Sequence, residues 1–317
     1  MSEFRQAPGL AAMAAAFALV VAAPVQAIDW SSVEGRNVTL FYPGQSSWEW
    51  VLTPSDHDGG KDIRKGKTCW DCHEAEEEEM GAKMVTGEKI EPDPIEGKQA
   101  ALDVNVKAAH DGERLYIRLE WADPEGSVGR KLDPDNEAKA TVMIGDGKLV
   151  GFQRGGCWAT CHDDVKGMPS ADGAELTKYI TQSRTKITRS GGGENYKSDS
   201  ELQKALQDGV FLEYWHAHMN KGAAPAPIDG YILEKRHKNE NPAITAEGGY
   251  ENGRWVVVLS RKLDESGPGR KRIAPGTVYT MGFAVHASYA DGRRHHVSLR
   301  RTLALDEGKA DIIAVRR

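Results

Sequence analysis

Cysteine is scarce in this 317-residue chain: four residues, at positions 69, 72, 157 and 161, are all it has. They fall into two tight pairs, so none is left to staple distant segments with a disulfide. Beyond residue 27 no apolar run approaches the roughly 20 residues needed to span a bilayer. Basic excess is also missing. The formal net charge is -6, which argues against nucleic acid as a partner. What remains is a mildly acidic chain with 39% hydrophobic residues and 34 glycines, a composition that suits a turn-rich globular protein and not a disordered one.

The first residues differ from the rest. A short polar stretch with Arg5 leads into an apolar run from Ala7 to Ala23, and Val25-Gln26-Ala27 offers small residues for cleavage. Residues 1–27 therefore read as a secretory signal peptide, with the mature protein beginning near Ile28 and exported to the periplasm. Pro24 and the weak cationic flank argue against a stable membrane anchor. Glu3 and Arg5 cancel, so cleavage leaves the net charge unchanged. Two prolines and a glycine among charges at Glu91–Gly97 mark a linker. The expected organisation is an N-terminal unit over 28–97 and a larger domain over 98–317.

Cys69-Trp70-Asp71-Cys72-His73 has the spacing required for covalent haem c: two cysteines to bond the vinyl groups, and an adjoining histidine to reach the iron. A redox dithiol would sit in a βαβ context, and a zinc site would need two further spaced ligands; neither is evident. Cys157-Trp158-Ala159-Thr160-Cys161-His162 repeats the pattern with one extra spacer. Its alternatives are a Cys157–Cys161 disulfide, a haem b held by His162 alone, or a single thioether. Tryptophan follows the first cysteine in both motifs, and Trp70 and Trp158 are expected on the ring edges. The reading is two haem c groups with His73 and His162 as proximal ligands.

A six-coordinate iron needs a second axial ligand. His57, in Asp56-His57-Asp58-Gly59-Gly60, lies sixteen residues before His73 on a turn able to fold over the opposite face. Met80 and Met84 are its alternatives. For the second iron, strand alternation places His295 with the apolar Val297 and Leu299, and His296 with Ser298 and Arg300. His295 is the expected ligand, with His296 and His286 behind it. Met168 follows His162 too closely to span the ring. His216 and His218 read as packed or solvated, His110 and His237 as turn and surface residues, and Glu74–Glu79 as a solvated helical turn.

After the linker the hydrophobic period becomes two. Leu102, Val104 and Val106, an Asp111-Gly112 turn, then Leu115, Ile117 and Leu119 form a β-hairpin. Further strands are expected at 140–144, 255–259, 278–286 and 296–302, with helical spacing in part of 198–218. The fold class is mainly β with some α: a small irregular haem domain followed by a β-sandwich.

Leu115–Asp123, Gly282–His286 and His295–Ser298 carry a resemblance. The stretch from Leu102 to Ala314 resembles the haem-binding domain of the ethylbenzene dehydrogenase γ-subunit group, which also serves dimethylsulfide dehydrogenase and related selenate and chlorate reductases. The resemblance implies a β-sandwich that clamps one haem and exchanges electrons with a molybdenum enzyme. The γ-subunits hold haem b through methionine and lysine; here Cys157, Cys161 and His162 stand in the methionine region, and His295 where the lysine is expected. Together these features describe a periplasmic dihaem electron carrier, not an enzyme. Its expected partners are redox proteins, among them a molybdoenzyme or a quinol-oxidising membrane cytochrome. The rival is a haem enzyme or sensor with an open iron site.

Overall fold

The computed structural model describes residues 28–46, 48–92, 94, 96–124, 133–159, 161–162, 178–186, 196–265, 267–287 and 295–317. The expected signal peptide lies outside them, as does Met168. The chain opens with strand β1 (Arg36–Phe41) and four short helices, α1 (Trp48–Val51), α2 (Gly60–Lys65), α3 (Trp70–His73) and α4 (Glu77–Val85). The hairpin β2 (Ala101–His110) and β3 (Arg114–Ala122) follows, then β4 (Ala138–Gly145), α5 (Val150–Gly155) and the two-residue strands β5 (Cys161–His162) and β6 (Lys178–Tyr179). After α6 (Asp199–Gln207) come β7 (Leu212–Met219), β8 (Ala226–Ile232), β9 (Arg236–Lys238), β10 (Thr245–Glu251) and β11 (Arg254–Lys262). The chain closes with β12 (Tyr279–His286), β13 (His296–Ser298), β14 (Arg301–Leu305) and β15 (Ile312–Arg316).

The fold is mainly antiparallel β with few helices, as its alternating sequence pattern dictates. Thirteen strands form one continuous sheet in the order β10-β11-β3-β2-β1-β13-β12-β4-β7-β8-β9, while β14 and β15 bridge β12 to β2 and close the pairing into a ring. Alternation decides which side chains go inside. On β2 and β3, Val104, Val106, Leu115, Ile117, Leu119 and Trp121 are buried in one large core with Val142, Trp215, Val257 and Phe283. The turn between these strands is fixed by Asp111, whose Oδ1 accepts the amides of Glu113 and Arg114, each at 2.7 Å.

Three local expectations are corrected. The strand expected over 296–302 is interrupted at Leu299 and Arg300, where the chain passes from β13 to β14. The helical spacing expected in part of 198–218 is found as α6, which takes in Leu202, Ala205 and Leu206; His216 and His218 lie beyond it on β7. Glu77 is not a solvated residue: it is 3% exposed and pairs with Arg301 at 3.3 Å. His110 is likewise buried, on β2, against Asp306 at 2.9 Å. Strand β1 precedes the linker yet pairs with β2 (Val38↔Val104) and β13 (Phe41↔Val297), so the segments on either side of residue 97 share a sheet.

Asp133, just before β4, gives a test of the fold's acid sensitivity. Burial opposes its ionisation, but Lys139, the Asp135 amide and the Asn136 side chain outweigh it and bring the carboxyl down to about 2. A depressed carboxyl contributes stability above its unfolded pKa and loses it as pH falls toward the folded value. The stability gap between the native chain and Asp133→Asn, measured by urea unfolding, should therefore narrow below pH 5, by about 1 kcal/mol at pH 3 and about 2 kcal/mol at pH 2.

Candidate functional site

Cys69 and Cys157, the first cysteines of the two motifs, lie on the outer face of the sheet, away from the large core. A second apolar cluster gathers there. It contains Cys69 and Cys157 together with Phe41 of β1, Met143 of β4, Tyr214 of β7, Ala284 of β12, and Val297 and Leu299.

In the first motif, Cys69 caps the single turn of α3, and its carbonyl accepts the amides of Cys72 at 3.2 Å and His73 at 2.9 Å. The i, i+3 spacing puts both cysteines on one side of that turn. The Thr68 amide donates to Asp71 at 2.7 Å and fixes the start of the turn. Cys69, Cys72 and His73 open onto a cavity of about 650 Å³, also lined by His57, Met80 and Met84 and walled by Phe41, Trp50, Val51, Ile63 and Leu299. Burial pushes the Cys69 thiol up to about 12. A raised thiol pKa makes Cys69 itself a poor thiolate nucleophile.

The two histidines face each other. Their ring centroids are 6.1 Å apart, with 43° between the planes. About 2 Å for each metal–nitrogen bond, plus about 1 Å from each nitrogen to its ring centre, gives a span of about 6 Å for a metal held between two imidazoles. Glu76 lies 2.8 Å from Nδ1 of His73. Such a contact fixes the ring and leaves Nε2 for a metal. His57 packs against Trp50 at 5.3 Å, and its Nδ1 is buried without a hydrogen-bond partner. Burial, then the neighbouring His73, lowers its pKa and keeps the ring neutral. A buried orphan nitrogen costs about 1–3 kcal/mol unless a ligand satisfies it. Cavity size, thiols, opposed imidazoles and the orphan nitrogen all fit a covalently held haem. Trp70 does not line this cavity; its face is covered by the Arg301 guanidinium at 4.1 Å.

The second motif begins on a turn set by two glycines. Gly156 has φ +72°, and a Cβ there would run into the backbone of Leu299 and Arg300; a Cβ on Gly282 would run into Cys157. Cys157 thus rests on β12, 2% exposed. His162 lies on β5, whose backbone pairs with β6. The side chains of Trp158, Cys161 and His162 fall outside the described residues.

Beyond Gly282 the same face of β12 carries Ala284 and His286. His295, 1% exposed, stacks on His286 at 4.6 Å. His296 turns the opposite way, toward Tyr42, and its Nε2 lies 2.9 Å from the Gln99 carbonyl oxygen. Burial and then Lys98 lower its pKa to about 3. The three histidines named from sequence are therefore split: His286 and His295 together, His296 apart.

Sequence reading missed the continuation of this face onto β7. His216 lies 6.3 Å from His286 and 4.9 Å from His218, and its Nδ1 is 2.6 Å from the Thr141 hydroxyl. Burial drives its pKa well below the ordinary histidine value. The signal was present in Tyr214, His216 and His218, which alternate with the core residues Trp215 and Ala217. Outside the cluster, His237 pairs with Glu234 at 2.8 Å and stacks on Tyr231.

Known proteins place this arrangement in context. The chain is 38% identical over 293 residues to cytochrome c-552 of Stutzerimonas stutzeri, covering 91% of each chain. It is 27% identical over 293 residues to cytochrome c-551 of Rhodocyclus tenuis, covering 91% of this chain and 99% of that one. The ethylbenzene dehydrogenase family model matches residues 27–243 and 226–298. By the extent of that match, which takes in both cysteine motifs and the histidine-bearing face of the sheet, the chain belongs to the ethylbenzene dehydrogenase family.

Proposed function

We propose that the protein is an exported, periplasmic dihaem c-type cytochrome that passes single electrons between protein partners. The observation that carries this reading is the pair His57 and His73, 6.1 Å apart across a cavity lined by Cys69 and Cys72. The names of the two relatives support it. Cys69 and Cys72 would hold the first haem, with His73 and His57 as the residues that would ligate its iron. Cys157, Cys161 and His162 would hold the second, with His295, stacked on His286, as its further iron ligand. Haem iron supplies one-electron chemistry when bound. The protein's part is to hold both imidazoles in place whatever the redox state: Glu76 fixes His73, Trp50 backs His57, and Phe41, Val51, Ile63 and Leu299 exclude water. Ligation by two imidazoles would keep the potential below that of a His/Met site.

Family membership favours a molybdenum oxidoreductase as one partner, and a quinol-oxidising membrane cytochrome is the other expected class. The decisive measurement is the intact mass of the mature protein after acid–acetone extraction, which removes haem that is not covalently attached. Two retained haems are expected. One retained haem would make the second site noncovalent, and none would overturn the proposal.

A further inference from the structure

Two adjacent glycines, Gly59 and Gly60, follow His57, and the backbone angles of the first do not call for glycine. Gly59 has φ -68° and ψ -7°, helical values that any residue adopts, and Gly60 opens α2. The loop that carries His57 is pinned by its own main chain. The amides of Asp56 and His57 donate to the Thr53 carbonyl at 2.9 and 3.0 Å, the Gly60 amide donates to the His57 carbonyl at 3.0 Å, and the Arg64 guanidinium donates to the Leu52 carbonyl at 2.6 Å. With the backbone fixed on both sides of His57, what remains to be set is the place of its imidazole.

The two glycines make room for different things. A Cβ on Gly60 would lie 2.7 Å from the Val51 carbonyl oxygen, so that glycine serves the close approach of backbone to backbone. At Gly59 the three atoms nearest to a Cβ all belong to the His57 ring: Cε1 at 2.8 Å, Nδ1 at 3.4 Å and Nε2 at 3.7 Å. Cε1 sits between the two ring nitrogens, so a side chain at 59 would press on the edge that carries both. Gly59 also lines the cavity shared by Cys69, Cys72 and His73. Carbon atoms in contact rest at about 3.5–4.0 Å, so a methyl group here would push the ring back by about 0.7 Å or more. Metal–ligand distances are held to within about 0.2 Å. The displacement is several times that tolerance.

We propose that Gly59 is a positioning residue for His57: the bare Cα is what lets the imidazole stand opposite His73, with ring centroids 6.1 Å apart. The assignment rests on the reading of His57 as an iron ligand at the first site and deepens it, and it makes no demand on the second motif. A side chain at 59 would act through the ring alone, leaving Cys69, Cys72 and His73 on their own helical turn.

The test compares purified native holoprotein with Gly59→Ala, His57→Ala and His57→Ala/Gly59→Ala by intact mass, absorption spectrum and carbon monoxide binding to the reduced protein. Gly59→Ala is expected to keep the native haem mass, to lose low-spin character at the first site, and to bind carbon monoxide as His57→Ala does. The double variant should match His57→Ala, because with the ring gone the effect of the methyl group has no route to the iron. A Gly59→Ala protein that keeps the native spectrum and stays inert to carbon monoxide, beside a responsive His57→Ala, would overturn the positioning role and leave the ligand reading intact. A double variant whose spectrum differs from that of His57→Ala would do the same, by showing an effect that bypasses the ring. A His57→Ala protein that retains its haem and its low-spin spectrum would overturn the ligand reading, and the positioning role with it. Should Gly59→Ala not accumulate, the double variant decides: removal of the ring must restore accumulation to the level of His57→Ala, and failure to do so overturns the proposal.

Discussion

His57→Ala is expected to open the first iron site without releasing the haem. Cys72 and His73 lie on α3 and Cys69 caps it, whereas His57 comes from the turn before α2, so its loss leaves the proposed attachment residues in place. Intact mass should be unchanged apart from the substitution. The spectrum should not be: the haem at this site should pass from low-spin to high-spin, and the reduced protein should bind carbon monoxide to about one equivalent, where the native protein binds none. His57→Met separates a ligand from a packing residue. If His57 is an axial ligand, methionine restores a low-spin site at a higher potential, since thioether ligation favours the ferrous state. A residue that merely filled space beside Trp50 would show no such shift. A His57→Ala protein that stays low-spin and inert to carbon monoxide would instead assign the position to Met80 or Met84, which line the same cavity.

This site was largely legible in the sequence because its chemistry is local. Cys69, Cys72 and His73 are brought together by one helical turn, and His57 by a short excursion of chain. The hairpin β2–β3 was legible for a similar reason: alternation over Leu102–Val106 and Leu115–Leu119 needs only neighbouring strands to become structure. What stayed hidden depends on pairings distant in sequence. Glu77 looks like one more solvated glutamate until Arg301, 224 residues away, is placed against it. Strand β1 looks like part of a separate unit until β13 supplies its second edge. His216 and His218 were obscured by helical spacing just before them in α6, and their place beside His286 depends on β4 lying between β7 and β12. The alternation that split His295 from His296 was legible; that His286 would stack on His295 required the register Val285↔His296.

On the inner face of the same strand, β7, a different substitution tests what holds the sheet together. Glu213 is 1% exposed, and Arg261 of β11 is fully buried, with their charged groups 3.4 Å apart. Burial pushes Glu213 toward its neutral form, an effect opposed by Arg261, by the Lys271 amide at 2.5 Å and by the Trp215 indole at 2.7 Å. Arg261 in turn donates to the carbonyls of Lys271 at 2.5 Å and Glu265 at 2.9 Å. The network ties β7 to β11 and to the segment leading into β12, across the core. Removing one partner leaves the other charged and buried, a loss of about 3–5 kcal/mol. Glu213→Leu is expected to lower unfolding stability by that amount, measured by far-ultraviolet circular dichroism in guanidinium. Glu213→Leu/Arg261→Met should recover most of it, because replacing both charges with apolar side chains is close to neutral. Alternation makes the prediction sharper: Glu213 and Trp215 face the core, whereas His216 faces the outer cluster. Below its unfolding transition Glu213→Leu should therefore retain the native Soret spectrum while its transition moves to lower denaturant, and a change in haem ligation at native-like stability would show that the two faces of β7 are not independent.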